Sequence, residues 1–247
     1  MWIATRLALF VLIFFIFPTL ATLGWWAMQD RPNSWRSADW SASGVLPVVR
    51  SEDDAAIYIM AARTGGMKGA LSVHSWVVTK QAGSDHYDRY DKVGWGSPVR
   101  KNGYPADARW YSNEPVIVHA VTGETAERLI PKVEAAIADY PYSKSGDYHI
   151  WPGPNSNSFV AHVVRTVPEL GARMPPNATG RDYAPGVFAI DWSPEAHDFH
   201  ATLGGFLGFS VGALSGVEIH FMGLVAGIDI LQPALKIPAF GRVELAF

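Results

Sequence analysis

The chain has 247 residues, of which 49% are apolar, and a formal net charge of -3 at pH 7. Such a chain can bury one substantial core, so we expect one domain or two small ones. Its arginines and lysines are scattered, so a nucleic-acid partner is not expected. No cysteine occurs, which excludes disulfides, a thiol nucleophile and cysteine-ligated metals.

Residues 1–28 predict an N-terminal membrane anchor. The uncharged run Leu7 to Met28 has 22 residues, enough at helical rise to cross a hydrocarbon core of about 30 Å. Arg6 on the short N-terminal side places that end in the cytoplasm, so the rest of the chain is expected to be periplasmic. A cleaved signal peptide is the alternative, since Thr19-Leu20-Ala21 resembles a cleavage site. We favour the uncleaved anchor because apolar residues continue past that site.

Residues 29–53 are rich in Ser, Pro, Arg and Asp, with isolated tryptophans, and predict a linker that packs a few aromatic side chains onto the domain. An extracytoplasmic domain is expected over residues 54–247. Strands are predicted over residues 70–80, 88–95 and 115–121, in one antiparallel sheet, and Ala55 to Ala62 fits a strand or a short helix.

Two helices are predicted after these strands. Residues 122–140 carry apolar side chains on one face, although Pro131 is expected to kink or divide that helix. The second begins after the loop at 151–157 and ends before Pro168. Beyond Thr202, glycine-rich apolar sequence and alternation over Val217 to Phe221 predict further strands rather than a second membrane span. Strands followed by helices indicate an α+β fold.

The most informative stretch is Trp-Pro-Gly-Pro-Asn-Ser-Asn-Ser-Phe-Val-Ala at residues 151–161. A Pro/Gly-framed loop delivers Ser156 to a predicted helix start, and Asn155 and Asn157 are residue types that favour such starts. Groups there face the positive end of a helix dipole, with free N–H groups expected to bind an oxyanion. Ser156 is therefore either a nucleophile or part of a helix cap.

Several long motifs follow one another along the chain. They are His74-Ser-Trp-Val-Val-Thr-Lys80, Arg89-Tyr-Asp-Lys-Val-Gly-Trp-Gly96, Trp110-Tyr-Ser-Asn113, Ile130-Pro-Lys-Val-Glu-Ala-Ala-Ile137 and the 151–159 stretch. In this order they resemble one bacterial family, the domain-of-unknown-function family numbered 3750. The resemblance runs from about Trp40 to Gly241, with Ser158 and Arg181 where that family is expected to have threonine and lysine. It implies family membership without implying an activity.

A second resemblance is to permuted papain-like families, among them the PPPDE peptidases and the lecithin:retinol acyltransferase group. These present a strand histidine and then an Asn-Cys-x-x-Phe motif that opens a helix. Here His74 precedes Asn155-Ser156-Asn157-Ser158-Phe159 in the same order. The resemblance implies a permuted papain-like fold with His74 as base, but Ser156 stands where the family's reactive cysteine would be.

Two functions follow from these residues. In the first, Ser156 and His74 hydrolyse or transfer an acyl group at an envelope amide or ester, and Asp91, Tyr90 or His86 orients the imidazole. In the second, the serine only caps a helix, the histidine is structural, and the domain binds a peptide, glycan or lipid without cleaving it. Whether the protein is an enzyme stays open at this stage.

Binding residues are expected beside the serine. Asn155, Asn157, Tyr148 and Trp151 are the candidates, with Trp95 and Trp110 as further aromatic residues that would line a groove.

No cofactor and no metal site are expected. His197 and His200 would share a helical face with nearby acids, but acids after Pro194 also suit a helix start. The acids considered with this pair are Asp191, Glu195 and Asp198. Structural ion pairing around the Ser156 loop is expected for Arg89, Arg165 and Asp182.

Overall fold

The computed structural model describes residues 2–50, 52–184 and 186–245. It is an α+β structure with two antiparallel sheets, two helices against the first sheet and one N-terminal apolar helix, which confirms the predicted fold class. The outermost limits of the predicted anchor and domain, residues 1 and 246–247, lie outside the described residues.

The N-terminal helix runs from Trp2 to Ala27 and is long and apolar enough to cross a membrane, with a mean hydropathy of 2.4 over its most apolar window. It consists of α1 (Trp2–Val11), a π-helical turn (Leu12–Ile16) and α2 (Phe17–Ala27). Most of its side chains are exposed, but Phe15, Thr22 and Trp26 are buried against the rest of the protein. The helix therefore lies against the domain along one stripe.

The first sheet contains the predicted strands and one more. Its strands are β1 (Ala56–Arg63), β2 (Val73–Lys80), β3 (Asp88–Lys92), β4 (Val99–Lys101) and β5 (Val116–Thr122), in the order β4-β3-β2-β1-β5. The stretch predicted as a strand or short helix is thus the strand β1. Every residue of β2 is buried because this central strand is covered on both faces.

Helices α3 (Gly123–Ala138) and α4 (Ser156–Thr166) cover one face of the first sheet. The predicted division of α3 at Pro131 does not occur. Pro131 and Glu127, whose carbonyl lacks its usual intrahelical partner, both lie on the exposed side. Water can therefore satisfy that carbonyl without breaking the helix.

The opposite face of the first sheet is covered by the segment that joins it to the N-terminal helix. Trp40 stacks on Tyr104 with ring centroids 5.1 Å apart and meets Trp110 edge-on at 5.0 Å. Ser43 donates hydrogen bonds to Asp107, and Leu46 is buried in the same cluster. This segment therefore closes the core behind β2.

The second sheet is a seven-stranded meander in which each strand pairs with the next along the chain. Its strands are β6 (Phe188–Ser193), β7 (Asp198–Leu203), β8 (Leu207–Gly212), β9 (Gly216–Phe221), β10 (Leu224–Asp229), β11 (Ala234–Ile237) and β12 (Gly241–Glu244). The suggested helix after Pro194 is wrong, because the chain turns there between β6 and β7 with His197 at φ 48°.

Candidate functional site

All six predicted site residues line one cleft of about 590 Å3. The cleft lies between β2, the start of α4 and the second sheet, from which Met222 and Leu224 line it. Thr19 of α2 also lines the cleft, so its wall includes the N-terminal helix. The six residues are His74, Tyr148, Trp151, Asn155, Ser156 and Asn157.

His74 is fixed by a carboxylate and an aromatic ring. Its Nε2 lies 3.3 Å from Asp91 Oδ2, and its ring stacks on Trp110 with centroids 3.7 Å apart. Of the three candidates for the orienting group, Asp91 is therefore the one that contacts the imidazole. The Tyr90 hydroxyl bonds Glu134 instead, and the His86 ring is exposed.

Burial and charge together set the protonation of this pair. Burial lowers the pKa of His74 to about 4, an effect that Asp91 offsets only in part. For Asp91, burial acts to raise the pKa, but the hydrogen bond with His74 and the charges of Arg89 and Arg100 hold it well below its usual value. At neutral pH the imidazole is therefore neutral and the carboxylate ionised, which places the ring proton on Nε2 and leaves Nδ1 as an acceptor.

Ser156 is the first residue of α4 and is 3% exposed. Its hydroxyl lies near that of Tyr148. Burial raises the pKa of Tyr148 to about 12, and the interaction with Ser156 acts to lower it. Within the described part of the chain, no hydrogen bond joins Ser156 to His74. The two side chains therefore share a cleft without being in direct contact.

The start of α4 is closed by its own cap. Asn155 Oδ1 accepts from the backbone N–H of Asn157 at 2.9 Å and of Ser158 at 3.1 Å, and Ser158 Oγ accepts from the Asn155 N–H. The N–H of Phe159 bonds the Asn155 carbonyl. The expectation of free N–H groups for an oxyanion at 157–159 is therefore wrong, because the capping box uses them.

The two asparagines also tie distant segments together. Asn155 Nδ2 donates to the carbonyls of Ile150 and Thr179, and Asn157 Nδ2 donates to those of Val73 and Thr179. Gly180 follows with φ +92°, and a Cβ there would lie 2.2 Å from Asn155 Nδ2. Only glycine permits this approach. Both asparagines therefore position the cleft wall.

The aromatic residues divide between the rim and the interior of the cleft. Trp95 and Trp151 are partly exposed at the rim, whereas Trp110 is buried and its Nε1 has no hydrogen-bond partner. Asn157 Oδ1 is likewise buried without a partner. The cleft thus combines aromatic walls with a few polar atoms, the usual make-up of a site for a small organic group.

A second group of titratable residues lies outside this cleft. Asp182, His200 and His220 offer ligand atoms that lie within 4.8 Å of one another. Of the residues considered from sequence for a metal, only His200 belongs to this group. The sequence signal for His220 was the alternation over Val217 to Phe221, which places Glu218 and His220 on one face of β9.

The residues expected to form ion pairs around the Ser156 loop, Arg89, Arg165 and Asp182, make their contacts away from that loop. Arg89 pairs with Asp91 and so supports His74. Arg165 donates to the carbonyl of Arg181, and Asp182 contacts the two histidines of the second group.

A comparison with protein families decides the family of the chain. The sequence model of the family described as "Protein of unknown function (DUF3750)" matches residues 54–183, more than half of the 247 residues. The chain belongs to this family. The match covers the first sheet, both of its helices and the loop that carries Ser156, which confirms the first resemblance seen in the sequence. No curated protein and no solved structure matches the chain.

Proposed function

We propose that the protein is an envelope serine hydrolase or acyltransferase that acts on an ester or amide. Ser156 is its nucleophile, His74 its base and Asp91 the group that orients the base. The observation that carries this proposal is the His74–Asp91 pair in the cleft that contains Ser156. Burial keeps the imidazole neutral, and Asp91 faces Nε2 and so leaves Nδ1 as an acceptor, which is what a serine nucleophile requires of its base.

The reaction would proceed in two halves. Ser156 Oγ attacks the carbonyl carbon while its proton passes to His74 Nδ1, and the leaving alcohol or amine takes that proton as the C–O or C–N bond breaks. Water, or an acceptor alcohol or amine, then attacks the acyl-serine and restores the hydroxyl. The Ser156 hydroxyl has to rotate from Tyr148 toward His74, since catalytic hydrogen bonds often form only in the reacting complex.

The position of the cleft favours a membrane amphiphile as substrate. Thr19 of the N-terminal helix lines the cleft beside Met222 and Leu224, so a ligand there contacts the membrane anchor itself. We infer that the helix is an uncleaved anchor with Arg6 on the cytoplasmic side and the domain in the periplasm. An acyl chain would then lie near the anchor, with its ester or amide near Ser156.

A second candidate function is binding of the same kind of ligand without cleavage. The Tyr148 hydroxyl lies near that of Ser156, and the Asn155 cap uses the nearby N–H groups. Both contacts favour a structural role for Ser156 and a cleft that binds its ligand without cleaving it.

Labelling with a fluorophosphonate serine probe tests the proposal. The full-length protein in detergent or lipid nanodiscs is expected to be labelled, and the labelling is expected to be lost in Ser156→Ala and in His74→Ala. The matched control is Ser75→Ala, because the Ser75 hydroxyl is buried with no hydrogen-bond partner.

The control is expected to label like the wild type. A folded wild-type protein that takes up no label would overturn the enzyme proposal and leave the binding function. In that case, tight binding of a fluorescent phospholipid that is lost in Trp151→Ala would support the second candidate.

A further inference from the structure

The group formed by Asp182, His200 and His220, here called the Asp182 cluster, has the geometry of a ligand set rather than of a hydrogen-bonded network. Asp182 Oδ1 lies 3.2 Å from His200 Nε2 and 3.3 Å from His220 Nδ1. Two ligands about 2.0–2.1 Å from a zinc ion at the tetrahedral angle lie about 3.3 Å apart. Both carboxylate–imidazole separations match that spacing, and all three ligand atoms lie within 4.8 Å of one another.

The two imidazole nitrogens have only Asp182 as a close polar partner among the described residues. His200 Nε2 and His220 Nδ1 are both buried, and neither forms a hydrogen bond of regular geometry, although each lies within ion-pair distance of Asp182. Buried polar atoms without partners are uncommon and need a physical explanation, and a shared ion supplies one.

The second ring nitrogen of His220, Nε2, contacts a carboxylate, as the outer nitrogen of a metal-binding histidine commonly does. His220 Nε2 lies 3.1 Å from Glu218 Oε2, and Glu218 also bonds Arg181 and Lys236, so the carboxylate is ionised. Donation from Nε2 to Glu218 leaves a lone pair on Nδ1 that faces Asp182 Oδ1. Carboxylate–histidine pairs of this kind orient metal-binding imidazoles.

We propose that Asp182, His200 and His220 bind a transition-metal dication, with zinc as the ion best suited to two imidazoles and one carboxylate. A fourth position opens into a small cavity of about 140 Å3 that Asp182, His200 and Ser210 help to line. Arg181 Nε lies 3.9 Å from Asp182 Oδ1 and competes for that oxygen. This competition disfavours Mg2+ and Ca2+, which depend on oxygen ligands, more than an imidazole-binding ion.

Zinc uptake tests the proposal. Full-length protein prepared without a histidine tag and stripped with a chelator is titrated with Zn2+ in a calorimeter, and the bound metal is measured by mass spectrometry. One equivalent is expected in the wild type, with binding at least about tenfold weaker in His200→Gln, His220→Gln and Asp182→Asn.

The matched control is His162→Gln, because His162 Nε2 is also buried without a partner but lies on α4 outside the cluster. A folded wild type that binds no zinc, or cluster variants that bind it as well as the control does, would overturn the proposal. If the variants fail to fold, the visible spectrum of Co2+ added to the wild type tests the proposal instead. Intense visible bands of a four-coordinate site support the cluster, and the weak bands of aqueous cobalt count against it.

A separate observation concerns the outer face of the second sheet, which is apolar and exposed. Alternate residues of neighbouring strands form this apolar face, and the polar residues between them are buried against the rest of the protein. A contiguous apolar surface of this size is not left in water by a stable monomer. The apolar face consists of Phe188, Ile190, Trp192, Leu203, Leu207, Phe209, Val211, Val217, Ile219, Ile228 and Leu235.

The second sheet contacts the N-terminal helix, and the position of this contact along the helix indicates what covers the apolar face. The Phe15 ring packs edge-on against Phe221 of β9, with centroids 5.5 Å apart. Phe15 is twelve residues from Ala27 (27 minus 15) and thirteen from Trp2 (15 minus 2), so it lies at the middle of the helix. If the helix is centred in a hydrocarbon core about 30 Å thick, this contact lies near the midplane of the bilayer.

We infer that the apolar face of the second sheet is immersed in the outer leaflet of the membrane that the N-terminal helix enters. The pairing of each strand with the next satisfies the backbone groups of the five inner strands. The outer edges of β6 and β12 are not paired in this way, so the sheet meets the lipid by its apolar face and not by its edges. The polar face of the sheet stays covered by the domain.

The absence of cysteine makes this inference directly testable. A single cysteine is placed at Phe209 or Trp192 on the apolar face, or at the exposed Glu114 as a control, and is labelled with an environment-sensitive fluorophore. The full chain is reconstituted into phosphatidylcholine vesicles that contain nitroxide-labelled acyl chains.

Strong quenching by the nitroxide lipids is expected at residues 209 and 192 and not at residue 114. Quenching by aqueous iodide instead would overturn the inference. Protection from both quenchers, together with 209–209 crosslinking between chains, would also overturn it, because a second copy would then cover the face.

Discussion

His74 illustrates how a single residue is tuned by its surroundings. Its ring lies between the Trp110 indole and the Asp91 carboxylate, and burial lowers its pKa from 6.5 to about 4. The folded protein therefore holds this imidazole neutral at any pH above about 5. The unfolded chain would protonate it much earlier as the pH falls.

We predict that His74 makes the stability of the protein depend on pH between 6.5 and 4. In this window the unfolded chain binds a proton at residue 74 that the folded protein does not, so the free energy of unfolding falls as the pH falls. A shift of 2.5 pKa units (6.5 minus 4) corresponds to about 3 kcal/mol. The measurement is urea unfolding across this pH range.

In His74→Gln this part of the slope should disappear, while the exposed-ring control His86→Gln should keep it. His119 and His162, whose pKa values burial also lowers, contribute to the slope that remains. Equal slopes in the wild type and in His74→Gln would contradict the prediction.

The sequence named His74 and Ser156 but left three candidates for the group that orients the imidazole. The deciding information is the register of β2 and β3, in which Val77 pairs with Tyr90. Asp91 then comes opposite Trp76, on the face that also carries His74, and Tyr90 points to the other face. A pairing register is a tertiary property, so the local sequence could not supply it.

At the scale of elements, the start of α4 depends on one side chain. Asn155 accepts two backbone N–H groups through Oδ1 and donates to two carbonyls through Nδ2. An exposed cap of this kind contributes about 1 kcal/mol. Here the cap is 4% exposed, so its loss leaves buried groups of the backbone without partners.

We predict that Asn155→Ala lowers the free energy of unfolding by about 2–4 kcal/mol, the sum of a lost cap and of unsatisfied buried groups. Asn155→Ser is the matched control, because a serine hydroxyl can still cap the helix start while the two donations of Nδ2 are lost. It should fall between the wild type and the alanine variant in urea unfolding. An alanine variant as stable as the wild type would show that the cap is dispensable.

The sequence predicted the first sheet and both helices because periodicity and turn residues act locally. It failed on the chain after Pro194, where a non-glycine residue, His197, adopts a positive φ and closes a hairpin. Acids and histidines three residues apart fit a helix as well as this turn. Pairing with β8 makes the segment after His197 a strand, β7.

For the whole molecule, the contact between Trp26 and Gly69 joins the N-terminal helix to the domain. Trp26 Nε1 donates to the carbonyl of Gly66 at 2.9 Å, and a Cβ at Gly69 would lie 2.2 Å from the Thr64 carbonyl oxygen and 2.5 Å from the indole. The indole is 4% exposed, so this glycine is the surface on which the helix rests.

We predict that Gly69→Ala displaces Trp26 and loosens the helix from the domain. Hydrogen exchange of the full-length protein in nanodiscs should speed up in the last turn of α2. Faster exchange confined to Gly66–Ala70 would report only the clash with the Thr64 carbonyl. The control is Gly24→Ala, on the same helix, where a Cβ meets nothing within 4 Å. Unchanged exchange in Gly69→Ala would mean that the helix is held by other contacts.

The sequence could not predict which face of the second sheet points inward. Alternation over Val217 to Phe221 predicts a strand with one apolar and one polar face, and the rule for water-soluble domains would bury the apolar one. The structure buries Glu218 and His220 instead. Which face points inward depends on the neighbouring domain and on the N-terminal helix, and neither is encoded within the strand.

One carbonyl oxygen, that of Thr179, connects the two sites. It accepts from both Asn155 and Asn157, so the first turn of α4, with Ser156, is fastened to the segment that reaches Asp182 three residues later. If the proposed ion moves Asp182 and the proposed ligand moves Ser156, both movements act on the same two hydrogen bonds. Any resulting coupling is reciprocal, so each would change the affinity of the other by the same factor.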